Sequence, residues 1–309
     1  MDVIERQASR TAIVMAGGDG TRLRSLTRQI VGRETPKQFC VLTGTTTLLE
    51  QALGRAALMA DRGLTLTVVN RAHHDFYFPL LSHLEPRSVV EQPANRDTAP
   101  AILYALLRLA ETAPGASAVI LPSDHFIDDE HAFARHVQAA FAAVEDRPEL
   151  TVLLGIKAST PETSYGWITP GTRILRVNGS GLHAVTRFVE KPSLALAHRL
   201  MEQGSLWNTS VIVGRVSTLL GMFMVASPRL YFAFAKVRPT LNTVFEHRAV
   251  EDLYRDLAPI NFSSHVLERA ALNLAVMPVE GLHWSDLGET ARVMEAIART
   301  GMRPKWRVA

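Results

Sequence analysis

From residue 12 to residue 156 the chain alternates short apolar, β-branched runs with longer amphipathic stretches, and no other feature restricts its fold as much. Strands are predicted at 12–16, 64–69, 88–91, 118–121 and 150–156, and helices at 48–60, 73–84, 98–113 and 130–144. Strands and helices in this rhythm build βαβ units. Their crossovers require parallel strands and lay helices on both faces of the sheet. The expected class is therefore α/β, with a mostly parallel sheet.

From about residue 158 the rhythm breaks into shorter segments rich in turn residues, PETSYGWITPGTR, LRVNGSG and AVTRFVEKP, which predict a β-rich excursion. Alternation resumes with a strand at 207–213, a helical region at 216–237, a strand at 272–279 and a closing helix at 289–298. The sequence contains no internal repeat, low-complexity tract or linker, which favours one composite domain over two independent ones.

The first strand runs into a glycine corner, AIVMAGGDGTRL at 12–23. Gly17, Gly18 and Gly20 allow positive φ and a close backbone approach to a ligand. Arg22 adds a forked, permanently charged donor suited to phosphate. An ordinary glycine turn with a surface arginine fits this stretch equally well. Two familiar loops are excluded by spacing: Gly20 is followed by Thr21-Arg22 rather than Lys-Ser/Thr, and Leu23 stands where a dinucleotide loop needs its third glycine.

Composition narrows the function classes. With 47% hydrophobic and 20% charged residues the chain is ordinary for a globular protein, and its apolar runs are too short to span a bilayer. The polar start MDVIERQASR lacks the apolar segment of a secretory signal, so a cytoplasmic protein is expected. Cys40 is the only cysteine, which excludes an intrachain disulfide and a cysteine-rich zinc site and leaves a packed or idle thiol. The net charge of +3 comes from scattered basic residues without interleaved aromatics, so nucleic acid is not an expected partner.

In an open α/β sheet, ligands collect beyond the carboxyl ends of the strands. Here those ends carry Gly17-Gly18-Asp19-Gly20, Glu91-Gln92-Pro93-Ala94-Asn95-Arg96-Asp97-Thr98 and Pro122-Ser123-Asp124-His125. Together with PKQF at 36–39, QPANRDTAPAI at 92–102, PSDHFI at 122–127, YGWI at 165–168, FVEKP at 188–192, WNTS at 207–210 and WSDLG at 284–288, the glycine corner resembles the sugar-1-phosphate nucleotidyltransferases, most closely the bacterial mannose-1-phosphate guanylyltransferases. The matches keep their order along nearly the whole chain.

That resemblance implies a Rossmann-like nucleotide-diphospho-sugar transferase fold, a mostly parallel mixed sheet with a smaller β-rich sugar-binding lobe. It implies a single domain over 1–309, residues 1–157 serving mainly the nucleotide and 158–309 mainly the sugar phosphate and closing helices. The implied reaction joins NTP and sugar 1-phosphate to give NDP-sugar and pyrophosphate, with GTP and mannose 1-phosphate as the expected pair. A phosphate oxygen attacks the α-phosphorus in line, so the protein's work is alignment and charge stabilisation. Partners are then small molecules, with neither nucleic acid nor membrane among them. A homo-oligomer is left open.

Residue roles implied by the resemblance follow its motifs. Ala16, Gly17, Gly18, Gly20 and Thr21 would wrap the nucleotide phosphates, with Arg22 and Lys37 as the catalytic cations. The alternative for Lys37 is a solvated surface lysine. Asp124 and Asp286 would hold magnesium (Mg2+), which binds through one or two carboxylates plus phosphate oxygens and water. Asp286 could instead cap the last helix. Neighbouring His125 is expected to be structural, because the phosphate nucleophile is already anionic.

Gln92, Asn95 and Thr98 would meet the base and nucleotide, or form a strand-to-helix turn capped by Asp97 or Thr98. Gly166, Glu190, Lys191 and Asn208 would meet the sugar phosphate. Adjacent strand residues point oppositely, so Glu190 and Lys191 can share a ligand only where the strand ends or bulges; a structural ion pair is the alternative. Trp167, Trp207 and Trp284 are expected to pack the lobe.

The chain also departs from the family pattern. Asp19 places a carboxylate in the glycine loop, where it repels a triphosphate unless it points away or meets a cation; Arg24 follows GTRL; and WNTS stands for the more usual WNSG. The chain ends soon after the predicted final helix, which implies transferase activity without the carboxyl-terminal isomerase domain of longer relatives. Other expectations compatible with this sequence are a pyrophosphorylase for another NDP-sugar and a non-catalytic sugar-nucleotide sensor.

Overall fold

A computed structural model describes residues 9–61, 63–270 and 273–307. Most of the polar stretch at 1–10, and Leu272 at the start of a predicted strand, lie outside the described residues. Strands β1 (Arg10–Met15), β2 (Thr65–Asn70), β3 (Val89–Gln92) and β4 (Ser117–Pro122) form the parallel half expected from the alternation. They are linked by α1 (Arg24–Val31), α2 (Leu48–Ala57), α3 (His74–Leu81) and α4 (Thr98–Thr112). The small strand β5 (Phe126–Ile127) follows, then α5 (Glu130–Asp146) and β6 (Thr151–Lys157).

The β-rich excursion is a long hairpin, β7 (Gly166–Val177) and β8 (Ser180–Glu190), turning on Asn178 and Gly179, both at positive φ. After it come α6 (Leu194–Glu202), β9 (Leu206–Arg215), α7 (Val216–Ala226), α8 (Pro228–Val237), α9 (Glu246–Arg255), β10 (Leu274–Val279), β11 (Trp284–Ser285) and α10 (Thr290–Thr300). The region predicted as one helix at 216–237 is two helices. Ser227 breaks it, and Pro228, which has no amide proton to donate, starts the second.

Among the described residues the main sheet has nine strands, ordered β3-β2-β1-β4-β9-β6-β10-β8-β7. Its antiparallel pairings all involve β9 or β8, which run against the others, so the sheet is mixed yet mostly one-directional. The hairpin forms the far edge of this same sheet. Because side chains alternate across a strand, Ala12 and Val14 of β1 join a core with Leu49, Phe133 and Phe141, whereas Ile13 joins the opposite core with Leu103, Leu106 and Phe223. Helix α4 is buried continuously from Ala99 to Leu109, which explains its almost unbroken apolar sequence.

A third cluster seats the chain's end beside its beginning: Val293, Ala296 and Ile297 of α10 pack with Leu23, Leu26, Cys40, Leu42 and Leu48. Burial pushes the Cys40 thiol up to about 12, consistent with an unreactive packing residue. Through this cluster the segment carrying Asp286 is held over the glycine corner.

Candidate active site

The glycine corner begins where β1 ends. Gly20 takes φ 59, and a Cβ there would lie 2.8 Å from the Lys37 backbone nitrogen, so a side chain at this position would be both strained and obstructed. The loop is clamped by Gln38, whose side-chain amide donates to the carbonyl oxygens of Ala16 at 3.0 Å and Gly18 at 2.7 Å. Ala16 itself is buried. Gln38 lay inside the PKQF motif, but its role required knowing that residues 16–18 and 38 touch.

Two adjoining cavities share Asp124. The larger, about 560 Å³, is lined by Gly17, Gly18, Gln92 and Asn95 towards the glycine corner and by Glu190 and Asn208 from β8 and β9. The smaller, about 180 Å³, is lined by Gly20, Thr21, Arg22, Lys37, Asp124 and Gly288. Most residues singled out from the sequence thus converge. Lys191 lines neither cavity; its side chain is 62% exposed, with Nζ 3.9 Å from Glu190 Oε1. Gly166 stays behind the wall: a Cβ there would meet Glu190 Oε2 at 2.8 Å and Asn208 Cβ at 3.2 Å, so its bare backbone makes room for those two side chains.

Asp124 and Asp286 are brought together by a two-residue antiparallel pairing of β5 with β11, which sets Ser285 opposite Phe126. Lys37 is buried between them. Its ammonium lies 3.1 Å from Asp124 Oδ2 and donates to the carbonyl oxygens of Asp286 and, at 3.4 Å, Leu287. Asp286 Oδ1 accepts from Tyr165 Oη at 2.9 Å, Arg292 Nη1 at 2.6 Å and the Gly288 amide at 2.9 Å, while Oδ2 faces Arg22 Nη2 at 3.2 Å.

Burial raises the cost of ionising both acids, but neighbouring positive charge outweighs it. Asp124 is held below the usual carboxylate range chiefly by Lys37, and Asp286 by the charges around it, Lys37 and Arg292 among them. The helix-cap alternative for Asp286 is not what the structure shows: Glu289 stands at the N-cap of α10. His125 is pushed down to about 4 by burial, and its Nδ1 accepts from Trp284 Nε1 at 3.2 Å, so the ring is neutral near pH 7.

At the other end of the larger cavity, Asn95 donates to Asp19 Oδ2 at 2.8 Å and accepts from the Asp97 amide at 2.9 Å. Asp19 also lies 3.3 Å from His73 Nε2. The loop carboxylate is therefore engaged by two neighbours rather than left bare. Asp97 caps α4 through the Thr98 amide, as the turn alternative supposed, and the Thr98 hydroxyl accepts from the Phe262 amide. Gln92 is buried, with Oε1 accepting from Tyr254 Oη at 3.2 Å.

Glu190 ends β8 and Lys191 leaves the strand at φ 49, with its ammonium still within 3.9 Å of Glu190 Oε1, the ion pair of the alternative reading. No hydrogen bond reaches the Glu190 carboxylate among the described residues; Lys191 Nζ stands 3.9 Å away. Burial pushes this carboxyl above its ordinary range. Trp207 and Trp284 are buried against Tyr165, Trp167 is buried against Trp207, and none of the three lines the larger cavity. Arg292, Tyr165 and Glu162, which complete the acid cluster, went unforeseen.

The sequence profile of the nucleotidyl transferase family matches residues 11–301. The chain belongs to that family. Among curated relatives of this nucleotidyl transferase, the xanthan biosynthesis protein XanB of Xanthomonas campestris pv. campestris (strain B100) is 32% identical over 293 residues, covering 94% of this chain and 60% of XanB. The mannose-1-phosphate guanylyltransferase of Escherichia coli (strain K12) is 30% identical over 303 residues, covering 95% of this chain and 61% of the relative. The chain thus spans about three fifths of the length of these relatives. A solved structure described as mannose-1-phosphate geranyltransferase from Thermus thermophilus superposes with a TM-score of 0.79 at 28% identity, covering 94% of this chain and 79% of that one. Among the described residues no helix is long and apolar enough to cross a membrane.

Among the described residues no group of three or more His, Cys, Asp or Glu side chains forms a closed metal cage. Asp124 lines the smaller cavity and Asp286 lies behind it against Arg22, Lys37 and Gly288, so the two carboxylates could hold a hard cation where phosphate oxygens and water complete its shell. Among the described residues Asp286 Oδ2 has Arg22 as its hydrogen-bond partner, and that side chain is 54% exposed.

Proposed function

We propose that this nucleotidyl transferase transfers a nucleotidyl group from NTP to a sugar 1-phosphate, with GTP and mannose 1-phosphate as the preferred pair, giving GDP-mannose and pyrophosphate. The observation that carries this reading is the pair of joined cavities: a roomy one rich in hydrogen-bonding groups beside a small one walled by the glycine corner, Arg22 and Lys37, with Asp124 between them. The printed name of the Escherichia coli relative supports the choice of base and sugar.

In this reading Gln92 and the adjoining backbone hold the base edge, while Glu190 and Asn208 accept and donate to sugar hydroxyls. The phosphates lie along the glycine corner. A sugar-phosphate oxygen forms the new bond to the α-phosphorus as the bond to the pyrophosphate oxygen breaks, and the leaving group carries away the electron pair. Arg22 meets two oxygens of the displaced phosphates, and the Lys37 ammonium supplies a point charge beside them. No proton transfer is needed, in keeping with a neutral His125. Asp124 and Asp286 would hold magnesium, which when bound neutralises phosphate charge.

The test is a matrix of GTP, ATP, UTP, CTP and dTTP against mannose, glucose, N-acetylglucosamine and fucose 1-phosphates, with magnesium and inorganic pyrophosphatase, read by phosphate release. GTP with mannose 1-phosphate should be best. The base preference should be sharp, because a wrong base edge leaves buried polar groups unpaired. A UTP or dTTP optimum would overturn the guanylyl choice and keep the reaction. Phosphate release from no pair, despite measurable nucleotide-sugar binding, would replace the reaction with a sensor role.

A further inference from the structure

The pairing of β9 with β6 contains an irregularity at the wall of the larger cavity. Leu153 pairs with Ile212 and Gly155 with Asn208, so the single residue Leu154 faces Thr209, Ser210 and Val211. The extra length bulges out of the sheet. Side chains within the bulge hold its shape: Thr209 Oγ1 donates to the Leu154 carbonyl at 2.8 Å and accepts from the Val211 amide at 3.3 Å, and Asn208 Oδ1 accepts from the Ser210 amide at 3.1 Å.

Ser210 stands at the crest with φ 58. This left-handed conformation favours glycine, and a serine there carries a backbone cost that a glycine would not. Strain of this kind gathers at ligand sites, where the side chain that causes it has work to do. Ser210 lines the larger cavity together with Asn208 and Glu190, and its hydroxyl makes no hydrogen bond among the described residues.

We propose that the Ser210 hydroxyl recognises a hydroxyl of the sugar phosphate and helps to set sugar specificity, an inference that rests on the transferase reading of the same site. The bulge places Ser210, two residues beyond Asn208, on the wall of the cavity that Glu190 and Asn208 also line, and the bare backbone of Gly166 makes room for those two side chains. A hydroxyl can donate to one sugar oxygen while accepting from another, which the acceptor-only Glu190 carboxylate cannot.

Ser210→Ala keeps the strained backbone and removes the oxygen; Ser210→Gly removes both. With the preferred pair, each should raise KM for the sugar 1-phosphate about three- to tenfold, the loss of one ordinary hydrogen bond, while KM for the nucleotide stays within about twofold. Ser210→Gly should melt at or above the wild-type temperature, which separates the contact from any damage to the fold. In parallel, affinity for GDP-mannose should fall in both variants while affinity for GDP is unchanged. That comparison needs no turnover, so inactivity of the wild type would count against the transferase reading alone. Unchanged sugar KM and unchanged GDP-mannose affinity in both variants would overturn the proposal. A rise confined to the nucleotide KM, with weaker GDP binding, would overturn it too, by moving the contact to the ribose.

Discussion

Arg292 Nη1 lies 2.6 Å from Asp286 Oδ1, while the same guanidinium pairs with Glu162 and sits 4.8 Å from the centre of the Tyr165 ring. One side chain on α10 thereby fixes a carboxylate of the candidate site and ties the loop at 162–165 to it. Both partners are largely buried, so the pair is not screened like a surface bridge.

Arg292→Ala should lower kcat/KM by about 10- to 100-fold and stability by about 1–3 kcal/mol, since Asp286 keeps its contacts with Tyr165 and the Gly288 amide but loses its strongest donor. Arg292→Lys should recover the charge but not the simultaneous grip on two acids. Steady-state kinetics with chemical denaturation checks both. Wild-type kinetics in Arg292→Ala would mean that Asp286 holds its position without the clamp.

Asp124→Asn and Asp286→Asn should each remove most magnesium-dependent turnover, read as rate against magnesium concentration with circular dichroism as the folding control. Chelation of magnesium should do the same to the wild type. Their stabilities should differ with pH in a defined sense. Because Asp286 is held below the usual carboxylate range, its ionised form contributes stability that is fully present above about pH 4 and fades as the pH falls further. Denaturation curves of wild type and Asp286→Asn should therefore converge in strong acid.

Glu190 has the opposite sign. Burial holds its carboxyl above the ordinary range, so the folded state binds the proton more tightly than the unfolded chain and stability falls as pH rises through that window. Glu190→Gln should melt higher than wild type at pH 7.5, and the advantage should shrink as the pH is lowered towards the range where Glu190 is protonated. The same change should weaken the sugar-phosphate KM. A lower melting temperature at pH 7.5 would show that the carboxylate has a partner that stabilises its ionised form.

The strands of the parallel half were legible because buried β-branched runs alternate with amphipathic stretches, and their boundaries moved by only a few residues. The glycine corner, Lys37 and the two aspartates were legible as motif pieces. What stayed hidden depends on distant contact. Strands β5 and β11 are two residues each and too short to carry a period, yet they set Asp286 beside Asp124. Arg292 lies on an ordinary amphipathic helix, and nothing local distinguishes it from a solvated arginine. Helix α9 buries Val250 and Tyr254 beneath a strongly charged outer face, so few apolar residues mark it in the sequence. In the sequence Asp19 reads as a misplaced charge; in the fold Asn95 and His73 stand beside it.

Arg22 and Lys37 line the same small cavity but differ in burial, and the difference separates two kinds of loss. Among the described residues the half-exposed Arg22 side chain has Asp286 Oδ2 as its one polar partner, so Arg22→Ala should change stability by no more than about 1 kcal/mol. If Arg22 meets charge that builds during displacement, its removal should lower kcat by a factor on the order of 10² to 10³. Lys37 is buried against Asp124 and the carbonyl oxygens of Asp286 and Leu287. Lys37→Ala should therefore lose both activity and stability, leaving Asp124 without its nearest cation. Melting curves paired with kcat and KM for both variants distinguish the two. An Arg22→Ala effect confined to KM would make that arginine a binding contact, and wild-type values of both constants would remove it from the reaction.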